Sequence, residues 1–231
     1  MAVEPKFLLG RGESLKRDSR FRGGAGETKP PYEWPAHKAR VATMLAMQNE
    51  YFGVLPKGAC PDDNVVSMIT LHPQYYSRSN FPTDLLREHE LRLVGSMPSQ
   101  VKPAAGRGSN AENGIPTTVL FVAGRRASFQ ALETAAKAAD EASPLGQDLM
   151  KVEAVGAMTP NDRIKGKIGR KKMLLEVVLH HDADLDLGWE EDFFSFAKTM
   201  GVDLKTAQNY QSRGLLFVPG VADQAAAARL A

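Results

Sequence analysis

The sequence predicts an α+β protein built from two successive units, and three observations lead to this fold class. Between residues 61 and 158, short β-branched and apolar runs alternate with helical periodicity in the order β-α-β-β-α-β. A shorter β-α-β-α series follows over residues 171–231. Residues 223–231 resemble a helix that follows a strand, so we expect the second unit to be incomplete, because another strand normally comes next.

The chain opens with a region, residues 1–60, that we expect to contain an extended arm and one helix. Residues 1–33 are rich in glycine, arginine and proline, and their one short apolar patch is residues 7–9. A helix is predicted from Pro35 to about Phe52, because apolar residues recur there on one helical face and proline is tolerated in a first turn. Gly53 can end it.

The first unit, residues 61–158, is predicted to be ferredoxin-like, since β-α-β-β-α-β is the order of elements in that fold. Strands are expected over residues 65–71, 91–95, 117–123 and 150–158, and helices over 81–90 and 126–142. Asn80 can cap the first of these helices. Residues 99–116 are rich in glycine, proline, asparagine and serine, which predicts a loop.

A linker, residues 159–170, leads to the second unit. The run at 173–179 is almost continuously apolar, which is typical of a central strand. A helix is predicted over residues 190–200 with Gly201 at its end, followed by a strand at 214–219. Asp223 can cap the final helix.

Charge is close to balanced overall but is unevenly distributed. The net charge is only +2, so no global field favours a nucleic acid or a membrane surface as partner. Charge blocks are usually solvated faces, but they can also orient a partner. The six basic residues between 163 and 172 are therefore one candidate docking patch: Arg163, Lys165, Lys167, Arg170, Lys171 and Lys172.

Cysteine usage and hydropathy favour a cytoplasmic protein. Cys60 is the only cysteine, so an internal disulfide is impossible and a reducing compartment is expected. No apolar run reaches the roughly 18 residues of a membrane-spanning helix. The N-terminus has no apolar stretch like that of a signal peptide.

A search for catalytic chemistry identifies no catalytic residue. Cys60 precedes two aspartates, whose negative charge would raise the pKa of its thiol, so we expect a structural role. None of the five histidines precedes glycine, and neither Gly-Thr-Ser nor Gly-x-Ser-x-Gly occurs. Residues 180–186 combine two histidines with three aspartates, but the spacing matches no common metal site. Strand aromatics are limited to Phe121 and Phe217, too few to stack RNA bases. We therefore expect no metal, no cofactor and no nucleic acid.

Several collinear blocks resemble the N-terminal region of bacterial subtilisin-like (S8) serine peptidases, many of which are encoded beside an AAA ATPase. The blocks are residues 7–15, 65–77, 81–86, 93–96, 120–126 and 213–219. The resemblance implies that the catalytic triad lies C-terminal to this segment. It also implies that the second unit is propeptide-like. Subtilisin propeptides assist the folding of their protease domain, cap its active site and inhibit it. Arg229, Leu230 and Ala231 would then be a processing end, and the sequence leaves open whether that end is natural.

Two functions remain as hypotheses. In the first, the segment is a non-catalytic inhibitor, folding assistant and docking module whose partner is a subtilisin-like protease domain. In the second, it is only a docking module, with an AAA ATPase or a substrate as partner. A free-standing enzyme is disfavoured, because no nucleophile–base pair is found.

Overall fold

The computed structural model describes residues 30–75, 80–106, 109–166, 171–180, 189–212 and 214–231. In this part of the chain the fold is mixed α+β, with two antiparallel sheets of four strands each. The α+β class predicted from the sequence is therefore confirmed. Most of the predicted arm, including the apolar patch at residues 7–9, lies outside the described residues. None of the described helices is long and apolar enough to cross a bilayer.

The first sheet has the strand order β2-β3-β1-β4, and every neighbouring pair is antiparallel. The elements of this first unit are α1 (Trp34–Val54), β1 (Asn64–Leu71), α2 (Thr83–Glu88), β2 (Arg92–Val101), β3 (Ile115–Arg125), α3 (Arg126–Ala138), α4 (Pro144–Leu149), β4 (Val152–Ala157) and α5 (Pro160–Arg163). Two 3₁₀ turns, Lys57–Ala59 and Pro61–Asp63, join α1 to β1.

The core of the first unit lies on one face of this sheet. Alternate residues of β1 are buried, as period-2 alternation requires when only one face is covered by helices. Val65 and Ile69 pack with Phe129 of α3 and with Phe52 of α1 in one cluster, and the two phenylalanine rings are 5.3 Å apart. Helix α1 therefore belongs to the same core as residues 61–158.

Two local predictions for this unit are wrong. The helix predicted over residues 126–142 ends at Ala138, and a separate helix, α4, begins at Pro144 with the Ser143 side chain as its cap. Asn80 does not cap α2, because the N-cap position is Pro82. Instead, the buried Asp148 carboxylate of α4 accepts hydrogen bonds from the backbone N–H groups at the start of α2, at 2.8 and 2.9 Å. The cap comes from a distant helix that the periodicity did not reveal.

The second unit is a sheet of order β5-β8-β6, with β7 also paired to β8, and two helices. Its elements are β5 (Met173–His180), α6 (Trp189–Thr199), β6 (Asp203–Leu204), β7 (Tyr210–Ser212), β8 (Leu215–Ala222) and α7 (Gln224–Leu230). The prediction that β5 is a central strand is wrong, because within the described residues β5 pairs with β8 alone. Its apolar run includes residues that face solvent: the side chain of Leu174 is 78% exposed.

Both predicted caps in the second unit are confirmed. Gly201 adopts φ 88°, and the N–H of Val202 donates to the carbonyl of Ala197 at 3.0 Å, as in a Schellman motif. The Asp223 carboxylate accepts from the N–H of Ala226 at 2.8 Å. Helices α6 and α7 cover the same face of the sheet, since their apolar side chains form one core with alternate residues of β8.

Gly146 gives a direct test of packing in the first unit. A Cβ at this position would overlap the carbonyl oxygen of Asp140, a backbone atom that cannot move aside cheaply. We expect Gly146→Ala to lower the free energy of unfolding by about 2 kcal/mol or more, measured by urea titration. The control is Gly53→Ala, where an added Cβ meets nothing within 4 Å. This control should change stability by no more than about 1 kcal/mol, and equal effects of the two variants would contradict the packing described here.

Candidate functional site

The two units meet where α6 packs on the 3₁₀ turns that follow α1. The ring of Phe196 lies directly over Gly58, and a Cβ at Gly58 would come within 2.9 Å of the Phe196 Cδ2 atom. Only glycine leaves room for this approach without a shift of the ring. The contact fixes one end of the second unit against the first.

Beside this contact lies a cavity of about 390 Å³, which we call the inter-unit cleft. Its walls are mostly apolar. The first unit contributes residues from the helix-free face of its sheet, including Phe121, and the second contributes Val178 and Trp189. The buried Cys60 also lines it. Such a cavity suits binding, but it needs polar groups to give specificity.

The polar groups that line the cleft include two arginines and a histidine. Arg92 comes from β2, Arg163 from the end of α5, and His180 from the end of β5. His180 keeps a solvent-exposed edge, yet burial of its ring and then the charge of Arg92 lower the pKa of its imidazole. The imidazole is therefore neutral at neutral pH, and the two guanidinium groups make the cleft attractive to an oxygen acceptor or an anion.

Arg163 is the point where two sets of predicted site residues come together. Its Nη1 atom donates to the carbonyl oxygen of Ala231 at 2.6 Å, so a residue of the candidate docking patch contacts the expected processing end. Leu230 packs against the core of the second unit, and Arg229 donates to the carbonyl of Met200 at 2.9 Å.

Three of the other five residues of the candidate docking patch are described by the structure, and two are not. Lys165, Lys171 and Lys172 are solvent-exposed, as a docking patch requires. Lys167 and Arg170 lie outside the described residues, as does the segment from His181 to Asp186. Among the described residues, no group of three or more histidine, cysteine, aspartate or glutamate side chains could hold a metal ion.

A second polar constellation is buried between α1, β4 and the loop after β2. The Glu153 carboxylate accepts a hydrogen bond from the Tyr32 hydroxyl and lies 3.2 Å from Arg40 Nη1. Tyr32 stacks on His37 with ring centroids 4.6 Å apart and meets His72 edge-on at 5.5 Å. We call these five residues the buried polar cluster. Sequence reasoning missed it, because its members are scattered along the chain and match no motif.

The histidines of this cluster have no ring nitrogen left for chemistry. His37 Nε2 donates to the carbonyl of Leu149 at 2.9 Å, while its Nδ1 accepts from Arg40 at 3.2 Å. His72 Nε2 donates to the carbonyl of Ala105, and its Nδ1 accepts from a backbone N–H. These partners assign the neutral Nε2–H tautomer to both rings, and burial lowers both pKa values. The buried polar cluster therefore fixes α1 and the loop onto β4.

No protein-family model, curated protein or solved structure matches this chain. His37 and His72 have both ring nitrogens in hydrogen bonds, whereas the buried Nε2 atom of His89 has no partner among the described residues. Cys60 is 5% exposed and lines the inter-unit cleft. The inter-unit cleft with its arginines is the described region best suited to take up a ligand.

Tyr32 tests the role of the buried polar cluster. Burial and the hydrogen bond to Glu153 raise the pKa of Tyr32 to about 12, above its value of about 10 in an unfolded chain. The stabilisation is therefore fully present below pH 10 and is lost as the pH rises toward 12. We expect Tyr32→Phe to cost about 1–3 kcal/mol near pH 7, because a buried carboxylate loses a donor. In an alkaline titration followed by tyrosinate absorbance, the component with a pKa of about 12, which belongs to Tyr32, should disappear.

The matched control is Tyr210→Phe, since the Tyr210 side chain is 52% exposed and its ring still stacks on Phe217. This variant should change stability by no more than about 0.5 kcal/mol. A similar loss in both variants, or an unchanged titration in Tyr32→Phe, would contradict the assigned role of the cluster.

Proposed function

We propose that this chain is a non-catalytic N-terminal segment of a subtilisin-like serine endopeptidase. In this proposal the second unit helps the protease domain to fold and inhibits it, and the first unit is a docking module. The collinear sequence blocks and their resemblance to the N-terminal region of these peptidases support the proposal. The described residues support a binding role through the apolar inter-unit cleft with its two arginines, while the hydrogen bonds of His37 and His72 favour a structural role for these two histidines.

The arrangement of both sheets is consistent with this proposal. The strand order β2-β3-β1-β4, with antiparallel neighbours, a β-α-β-β-α-β framework and helices on one face, supports a ferredoxin-like interpretation of the first unit. In the second unit both helices lie on one face of a four-stranded antiparallel sheet. This architecture leaves the opposite face of the sheet without helices, and the part of it away from the inter-unit cleft is available to a partner, as a propeptide-like module requires.

The observation that carries the proposal is the apolar character of that opposite face, which we call the open face. Strand alternation places Leu174 and Val178 of β5, Phe217 of β8 and Tyr210 of β7 on it. Leu174 is 78% exposed and Val178 is 48% exposed. Contiguous apolar side chains on a protein surface mark interaction sites, and a protease domain joined to this segment is the partner that the sequence blocks favour.

The test combines the 231-residue chain with the separately produced protease domain. We expect the chain to inhibit peptide cleavage and to raise the yield of refolded protease. Leu174→Asp should weaken inhibition about tenfold or more, because burial of a leucine is worth about 1.5–3 kcal/mol.

A matched control is Met47→Asp, which introduces the same charge at a 66% exposed apolar residue of α1. It should inhibit like the unsubstituted chain. Unchanged peptidase activity and refolding yield with the unsubstituted chain would remove the inhibitor and chaperone roles. Equal weakening by both substitutions would remove the open face as the contact.

A pure docking function is the second candidate, and the exposure of Lys171 and Lys172 favours it. Both precede β5 and are solvent-exposed, and the charge of Lys172 contributes, after that of Lys205, to lowering the pKa of Asp203. If this end of the second unit binds an AAA ATPase, Lys171→Glu with Lys172→Glu should weaken the complex at low salt and leave peptidase activity unchanged. Lys102→Glu, an exposed lysine of the first unit, is the control. Binding that is insensitive to the double substitution would contradict this docking site.

A further inference from the structure

A groove runs along the outer edge of β5, on the side away from β8. It encloses about 290 Å³, and Leu174 and Glu176 of its lining also belong to the open face described above. It is lined by Met173–Val177 of β5, by Arg163–Gly166 of the connection from the first unit, and by Ala227, Leu230 and Ala231 at the end of α7. We call it the β5 groove. It shares Arg163, Leu230 and Ala231 with the inter-unit cleft, so the two cavities adjoin.

The backbone of β5 gives this groove its first recognition element. Within the described chain β5 pairs with β8 alone, so every second residue directs its N–H and C=O groups away from the sheet. An edge of this kind is a template for one more strand, and proteins usually cover or charge it. Here the connection at residues 163–166 and the end of α7 flank the edge and leave a gap between them.

The side chains on the helix-covered side of the groove are apolar. Leu175 and Val177 of β5 pack toward the core of the second unit, and Ala227 and Leu230 of α7 line the same space. A strand laid along β5 would direct alternate side chains toward this surface. Backbone pairing supplies affinity in such complexes, and the pockets for alternate side chains supply specificity.

The positive charge along the groove favours a ligand that carries negative charge. Arg163 and Lys165 form its basic wall, and the exposed Lys171 and Lys172 precede the strand. Among the described residues that line the groove, Glu176 is the only one with an acidic side chain, and strand alternation directs that side chain to the open face. Arg163 already binds a main-chain oxygen, the carbonyl of Ala231, at 2.6 Å. The basic wall is therefore built to hold oxygen acceptors, and carboxylates are the complementary charge.

We infer that the β5 groove binds an extended acidic segment of a partner protein as an added β-strand, with a carboxylate held by Arg163 and Lys165. This inference goes beyond the proposed function, because it rests on the groove and not on the family resemblance. It identifies a peptide-binding site at the edge of β5, which shares Leu174 with the open face but is not lined by Val178, Phe217 or Tyr210. The outer edge of β5, which pairs with no second strand among the described residues, accounts for the extended conformation of the ligand. The basic wall accounts for its charge.

The experiment uses the full 231-residue chain and a fluorescent peptide of about eight residues, in which valine alternates with threonine before two terminal aspartates. Fluorescence anisotropy should show saturable binding. Replacement of both aspartates by lysine, or N-methylation of alternate peptide amides, should weaken binding about tenfold or more. Hydrogen exchange should slow at the backbone amides of residues 174–177 when the acidic peptide binds.

Lys165→Glu should weaken the acidic peptide about tenfold, while Lys102→Glu, an equal charge change in the first unit, should leave its affinity unchanged. Undiminished binding of the N-methylated peptide would overturn strand addition, and undiminished binding of the lysine peptide would overturn the acidic ligand. Slow exchange at residues 174–177 without peptide, in a concentration-dependent dimer, would assign the groove to a second copy. The same protection in a monomer, lost on removal of residues 1–29, would assign it to the chain's own N-terminal region. Either result overturns the inference.

Discussion

Coverage of each sheet by helices on only one face is the constraint on which the rest of the structure depends. In the first unit, α1 and α3 pack on the buried alternate residues of β1, and in the second, α6 and α7 do the same for β8. Each sheet therefore has a second face that its own helices cannot bury. The first sheet uses part of that face as a wall of the inter-unit cleft. The second contributes Val178 to the same cleft and keeps Leu174 exposed.

Buried polar groups determine how the elements of the first unit are fixed. Asp148 is 3% exposed, and its carboxylate caps α2 while also lying 2.6 Å from Lys151 Nζ. Glu153 is equally well paired, with Tyr32 and Arg40. Because an unpaired buried carboxylate is costly, each of these residues allows one arrangement of its neighbours and penalises the others. The helices α1, α2 and α4 are positioned by these pairings as well as by apolar packing.

The second unit combines two surfaces of different character. Its open face is apolar, whereas the β5 groove has a basic wall and presents a strand edge, and Leu174 belongs to both. The end of α7 connects them to the first unit, because Arg163 holds the carbonyl of Ala231 where the groove adjoins the inter-unit cleft. A binding event in either cavity would therefore contact the same arginine.

The sequence by itself determined those features of the fold that depend on residues close together in the chain. The α+β class, the cores of the strands and the caps at Gly201 and Asp223 follow from periodicity and backbone preferences within one or two turns of chain. Only the tertiary structure decided which distant groups meet. Asp148 caps a helix 64 residues earlier, Glu153 pairs with a tyrosine 121 residues earlier, and Arg163 reaches a carbonyl 68 residues later. The edge position of β5 was also decided by the tertiary structure. An apolar run indicates that a strand can be buried, but its place in the sheet depends on which strands pair with it.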